Sequence, residues 1–411
     1  MSKIKTVSAY EIFDSRGNPT VYAVVETENG AKGSAAVPSG ASTGSFEACE
    51  LRDGGERLFG KGVKKAVENV NTVIRPELAG IEITEQTRID KIMCELDGTE
   101  NKSNLGANAI LAVSMAASRA AAESEGVPLY KYLGSPRELV MPRPMMNIIN
   151  GGAHAANNID IQEFMIQPVK PSSFAESMDI CVSIYHTLKG LLSEKGLSTA
   201  VGDEGGFAPD LKDDREALEF IVKAIEKSGY TTNDVKICLD AATSEWMCDS
   251  GIYKMPKRCK KLDRTEMIDM WADLANSYPI VSLEDGLAEN DFDGFSELTE
   301  KLGSRLQLVG DDLFVTNEKR LVQGINMKAA NSILIKPNQI GTVTETLNVI
   351  KTAHENGYTT VISHRSGETE DSFISDLSLA VSAGQIKTGA PCRSERLAKY
   401  NRLLLIENGG I

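Results

Sequence analysis

Apolar and polar positions alternate over residues 4–13 and 20–27, where Val, Ile, Tyr and Phe recur on either side of Asp14-Ser15-Arg16-Gly17-Asn18-Pro19. Period-two runs around such a cluster predict two strands, and Asn29-Gly30 predicts a tight turn into a third at 32–36. The period then lengthens. Val63, Ala66, Val67, Val70, Val73 and Ile74 fall at helical spacing, and the alanine-rich run 104–125 predicts a long helix. Residues 1–135 are therefore expected to form a small α+β domain. The prolines of Ser135-Pro136 and Pro142-Arg143-Pro144 resist both helix and central strand, which puts the boundary there and a second unit at 140–411.

In that second unit, short β-rich runs alternate with helical windows such as 342–356 and 371–383. Each apolar run ends on a charged or ionisable residue: Asp240, Glu284, Asp311, Lys336, His364 and Lys387, at steps of 44, 27, 25, 28 and 23. Each step holds one strand, one loop and one helix. Strands buried on both faces and separated by helices imply a parallel sheet, and this many units predict a closed (β/α)8 barrel of the TIM type, so the fold class is α/β. Chemistry in such barrels sits at the carboxyl ends of the strands, where all six residues fall.

Composition narrows the picture. Of 411 residues, Lys and Arg number 44 and Asp and Glu 58, a net charge of −14 that disfavours nucleic acid and anionic membranes as partners. The basic run Lys254, Lys257, Arg258, Lys260, Lys261 and Arg264 reads as a solvated loop rather than a nucleic-acid face. Seven cysteines without a C-x-x-C pair fit neither a disulfide framework nor a zinc site. The N-terminus has no apolar leader core, and Asn108 and Ser114 interrupt the most apolar stretch, so a cytoplasmic protein with no membrane span is expected.

Asp240, Glu284 and Asp311 are three carboxylates on consecutive strand ends. Each alone could cap the following helix, but in register they repel unless a cation lies between them, and an all-oxygen set favours a hard ion such as Mg²⁺. Lys336 and Lys387 end later strands of the same mouth. Either they depress each other's pKa and leave one amine free as a base, or they form ordinary salt bridges to the three carboxylates. Glu163 and Glu204 could share a proton and act as a general acid, with His154 and Gln162 close by in sequence to Glu163. His364-Arg365-Ser366 has the makings of a phosphate or carboxylate clamp. The small-residue loop 38–44 lacks a P-loop lysine and suits a mobile lid or a plain connection.

The motifs FDSRGNPTV (13–21), PSGASTG (38–44), NGGAHA (150–155), QEFMI (162–166), VGDEGGFAP (201–209), SLEDG (282–286), GDDLFVTN (310–317), LIKPNQIGT (334–342), SHRSGETEDS (363–372) and GQIKTGAPCRSERLAKYN (384–401) resemble, in order and over essentially the whole chain, those of the enolase family. The resemblance implies an N-terminal capping domain on a modified barrel and a reversible dehydration of 2-phosphoglycerate to phosphoenolpyruvate. It implies two Mg²⁺ per site, the first held by Asp240, Glu284 and Asp311 and the second joined by Ser42. Lys336 would remove the C2 proton, and Glu204, supported by Glu163, would help the C3 hydroxyl depart. Lys387 would meet the carboxylate, Arg365 and Ser366 the phosphate, and His154, Gln162 and His364 the substrate.

The resemblance also implies a homodimer or a tetramer of dimers, with a cell-surface or secreted pool as a further location. An acid-sugar dehydratase or racemase of the same superfamily would instead place a K-x-K pair on an early barrel strand, where this chain has Asp203-Glu204-Gly205-Gly206. A non-catalytic binding or lens-type protein would tolerate loss of Lys336 or the acids, all of which are present. Two lysines and an arginine, with the two ions, are expected to reverse the chain's acidic sign at the barrel mouth.

Overall fold

Period-two alternation needs a sheet with one buried face, and the first strands supply it. β1 (Ile4–Phe13), β2 (Pro19–Thr27) and β3 (Lys32–Ala36) form an antiparallel meander in the order β1-β2-β3. Val7, Ala9, Val21, Ala23, Val25 and Ala35 are buried from it, β2 and β3 packing against the helix Ala107–Glu125 and β1 against the helical segments over 64–78. Gly33 makes the contact close: a Cβ there would lie 2.0 Å from the carbonyl oxygen of Ala116. The helix expected from Val63 to Ile74 runs as an α-helix over Lys64–Asn69 and widens to a π-helix over Val70–Ile74. The computed structural model describes residues 2–41, 44–134, 140–248 and 251–410, so the expected boundary at Ser135-Pro136 lies outside the described residues.

Beyond it come β4 (Arg143–Asn150), β5 (Glu163–Pro168), β6 (Val235–Asp240), the short pair β7 (Tyr253–Lys254) and β8 (Lys261–Leu262), then β9 (Ile280–Glu284), β10 (Gln307–Gly310), β11 (Ser332–Ile335), β12 (Thr359–Ser363) and β13 (Gln385–Lys387). Eight of these close a barrel in the order β10-β11-β12-β13-β4-β5-β6-β9. Seven run parallel, as the spacing predicts. β5 alone is antiparallel to both neighbours, because the segment between it and β4 has no crossover helix and the helices Phe174–Glu194 and Asp214–Lys227 both follow it. Met145, Met165, Cys238, Val309, Leu334 and Val361 pack as a separate apolar cluster from six barrel strands, the layered filling that makes such a barrel a core and not a pore.

At the amino ends of β10 to β13 neutral groups bond one another across the floor. The Gln307 amide donates to Ser332 Oγ at 3.1 Å, Thr359 Oγ1 at 2.9 Å and Gln385 Oε1 at 2.6 Å, and Gln385 returns a bond to Gln307 Oε1 at 3.0 Å. The basic run is more than a solvated loop. β7 and β8 pair within it, and Arg258 reaches back to the buried carboxylates of Asp160 and Asp214. Among the described residues no helix is long and apolar enough to cross a membrane.

Candidate active site

Asp240, Glu284 and Lys387 are the last residues of β6, β9 and β13, and Asp311, Lys336 and His364 each follow their strand by one residue. All six sequence-predicted strand ends meet at one mouth. Glu163 joins them from the start of β5, because the reversed strand brings its first residue to the carboxyl end of its neighbours: Glu163 pairs with Asp240 in register. Glu204 arrives on a loop tied to the segment that follows β13, its carbonyl accepting from Ala390 N at 2.9 Å. Gln162, His154, Arg365 and Ser366 complete the lining. Ser42, expected at the second metal, lies outside the described residues.

Two clusters of charge divide the mouth. Lys387 Nζ sits 2.9 Å from Asp240, 2.8 Å from Glu284 and 3.2 Å from Glu163. Lys336 Nζ is 2.5 Å from Asp311, whose other oxygen accepts from Gln339 at 2.8 Å. Burial opposes charge on both amines, yet the buried carboxylates outweigh it and hold both lysines above the ordinary ammonium range, Lys387 far above. Of the two readings the lysine pair allowed, the structure takes the salt bridges. Among the described residues, the carboxyls of Glu163, Glu204, Asp240, Asp285, Asp311 and Asp312 line the site and Glu284 joins them through Lys387, against the cations Lys336, Arg365 and Lys387. The expected local reversal of sign is therefore not made by side chains.

The two glutamates respond oppositely to one pocket. Burial, reinforced by the Glu204 charge, pushes Glu163 well above the carboxylate range, while Glu204, though equally buried, is held well below it by His364 and His154. A proton shared by the pair therefore rests on Glu163. His154 Nδ1 lies 3.5 Å from Glu163 and 3.7 Å from Glu204, and Asn147 donates to Glu204 at 3.1 Å. Ser366 Oγ lies 3.2 Å from His154 Nε2 and 3.4 Å from Glu204.

Sequence reasoning missed several participants. Glu47 grips Arg365 through two bonds of 2.8 and 3.0 Å, a carboxylate in the fork a phosphate would use. Asp285 accepts the backbone N–H groups of Asp311 and Asp312 at 2.9 and 2.8 Å and so orients that pair. The signal for it was the doubled acids Glu284-Asp285 and Asp311-Asp312; nothing local marks Glu47. Among the described residues, tight groups of ligand atoms are His154–Glu163–Glu204 and Asp285–Asp311–Asp312. Asp240, Glu284 and Asp311 share the mouth, but lysine ammoniums lie against all three.

Two family models match the chain: the N-terminal domain of enolase over residues 4–133 and the C-terminal TIM barrel domain of enolase over residues 138–409. The enolase of Natranaerobius thermophilus is 58% identical over 407 residues, 99% of this chain and 95% of that protein. Its full-length agreement with a barrel whose strand ends carry the acids and lysines described above means that the chain belongs to the enolase family.

Proposed function

We propose that this mouth dehydrates 2-phosphoglycerate reversibly to phosphoenolpyruvate, with Lys336 taking the C2 proton and Glu204 assisting loss of the C3 hydroxyl as water by passing on the proton that rests on Glu163. The observation that carries the reading is the barrel order: β11, which leads to Lys336, and β5, which starts at Glu163, stand four places apart in a ring of eight. A proton lost towards one wall and a hydroxyl lost towards the other is an anti elimination. Lys387, between these walls, offers its ammonium to the substrate carboxylate. The Arg365 fork and Ser366 offer donors to the phosphate, with Glu47 giving way, and His154, Gln162 and His364 complete the contacts.

The residues fit a hard divalent cation. The lining is rich in buried oxygen donors, its carboxyls outnumber its cations, and burial beside Asp240 and Asp311 pushes Glu284 well above the ordinary range, an unfavourable arrangement until positive charge is added. Asp240, Glu284 and Asp311 would hold one Mg²⁺, and Ser42 would join a second. When bound, the ions supply charge for the dianion that forms as the C2 proton leaves. The Asp311 carboxylate that now keeps Lys336 protonated is one of those proposed ligands, so engaging it elsewhere frees the amine to accept a proton.

The reading includes a capping domain over 1–135 on a barrel over 140–411, with the 38–44 loop closing on the mouth. Ser39 and Gly367 already bridge the two through reciprocal 2.8 Å bonds. It also includes a homodimer, or a tetramer of dimers, supported by Tyr10 and Phe13 standing more than half exposed on edge strand β1, and a cytoplasmic location. The test is ultraviolet detection of phosphoenolpyruvate from 2-phosphoglycerate. Turnover is expected with Mg²⁺, loss with chelator and recovery on re-addition; no turnover at saturating Mg²⁺ would overturn the reading.

A further inference from the structure

Arg396 stands in the first turn of the last helix, Ser394–Glu407, with its side chain wholly buried beneath the mouth. The four N–H donors of its two terminal nitrogens are all hydrogen-bonded. Nη1 meets His364 Nδ1 at 2.7 Å and the Arg365 carbonyl at 2.6 Å. Nη2 meets the carbonyls of Asp203 at 3.0 Å and Ser366 at 2.6 Å, and Nε faces the Glu395 carboxylate at 3.3 Å. Space for its stem depends on Gly389, where φ is +84° and a Cβ would lie 2.9 Å from Arg396 Cδ.

A guanidinium has no acceptor and keeps its charge at any ordinary pH. The His364 nitrogen facing it must therefore be the lone pair, and the one proton of the neutral ring must sit on Nε2, which lies 3.4 Å from Glu204 Oε2. The other two states of the ring are both penalised. An Nδ1–H tautomer would set N–H against N–H at Arg396 and lone pair against carboxylate at Glu204. An imidazolium would add a second buried positive charge at 2.7 Å. Burial, with the Arg396 charge adding to it and Glu204 opposing, accordingly takes the ring down to about 4. The carbonyl partners belong to two segments, 203 and 365–366, that carry site residues from distant parts of the chain.

We propose that Arg396 is a positioning residue for the dehydration half of the reaction: by requiring an acceptor at Nδ1 it fixes His364 as the neutral Nε2–H tautomer and holds His364, Ser366 and Glu204 as one unit. This rests on the reading of Glu204 as the group that works on the C3 hydroxyl.

The chain has four histidines, so ¹⁵N-histidine labelling of the whole enzyme yields four rings, and His364→Gln assigns the one of interest. At pH 7.5 the wild-type His364 ring is expected as the Nε2–H tautomer. Arg396→Met, which keeps the stem and loses every donor, should populate the Nδ1–H form. It should lower dehydration roughly 10²-fold while C2 proton exchange and KM stay within about threefold of wild type. Should that variant fail to fold, Arg396→Lys, with one centre of donation, should lower dehydration about tenfold and spare exchange. An Nδ1–H or doubly protonated ring in the wild type would overturn the proposal. So would an Nε2–H tautomer unchanged in Arg396→Met, or exchange falling in step with dehydration. Failure of the Glu204 reading shows elsewhere, as dehydration surviving in Glu204→Gln while the tautomer results stand.

Discussion

The two ends of the barrel are built by the same eight strands, are both polar, and solve the cost of burying polar atoms in different ways. At the floor Gln307, Gln385, Ser332 and Thr359 satisfy one another with neutral amides and hydroxyls, and no ion is needed. At the mouth buried charges meet with carboxyls in excess, and the titrating groups are driven apart: Glu163 up, Glu204 and His364 down, both lysines up. A closed neutral network only holds the barrel together. An uncompensated charged one stores the capacity to bind ions and move protons, so the contrast separates the stabilising end of the fold from the reactive end.

Removing a charge at the mouth should break that contrast most. Lys336→Ala is expected to lower turnover by about 10³-fold and abolish exchange of the C2 proton with solvent, followed by deuterium uptake. Native-rate exchange in that variant would show the base to be another group. Glu204→Gln should lower dehydration by roughly 10²-fold but leave C2 exchange in place, separating the two walls of the mouth.

Acid sharpens the comparison next. His364 is neutral in the fold, with its pKa at about 4 against an ordinary 6.5. As pH falls the unfolded ring takes its proton first, so this contribution is fully present above 6.5 and is lost progressively as pH approaches 4. The loss is at most about 3 kcal/mol, read as the change in urea midpoint between pH 7.5 and 4.5 in wild type relative to His364→Gln. The smallest effect belongs to the floor: Gln307→Leu should cost about 1 kcal/mol of stability, because water can reach part of the network it breaks, and leave kcat unchanged. A fall in kcat there would mean that the two ends are coupled.

The charged strand ends were legible because an apolar run long enough for a buried strand must stop where the barrel meets solvent, and a strand end in a barrel has one address. Glu163 was placed near the site only through its neighbours in sequence, since nothing in the apolar run 164–166 says that β5 runs backwards. Arg258 was read as a solvated residue because its counterions, Asp160 and Asp214, lie far from it along the chain. Glu47 went unmarked and Arg396, though inside the motif 384–401, was given no role for the same reason: their partners stand 318 and about 30 residues away.

The sequence by itself determined the meander, the long alanine helix, the barrel class and the ring of six ionisable strand ends, all of which follow from local periodicity and from residues that tolerate no other depth. Only the tertiary structure decided the protonation pattern. Whether a lysine is a base or a salt bridge, and which of two glutamates carries the proton, depends on distances of a few ångströms between residues hundreds of positions apart. Electrostatic energy in a buried site varies with those distances and with lost solvent, neither of which a one-dimensional pattern contains.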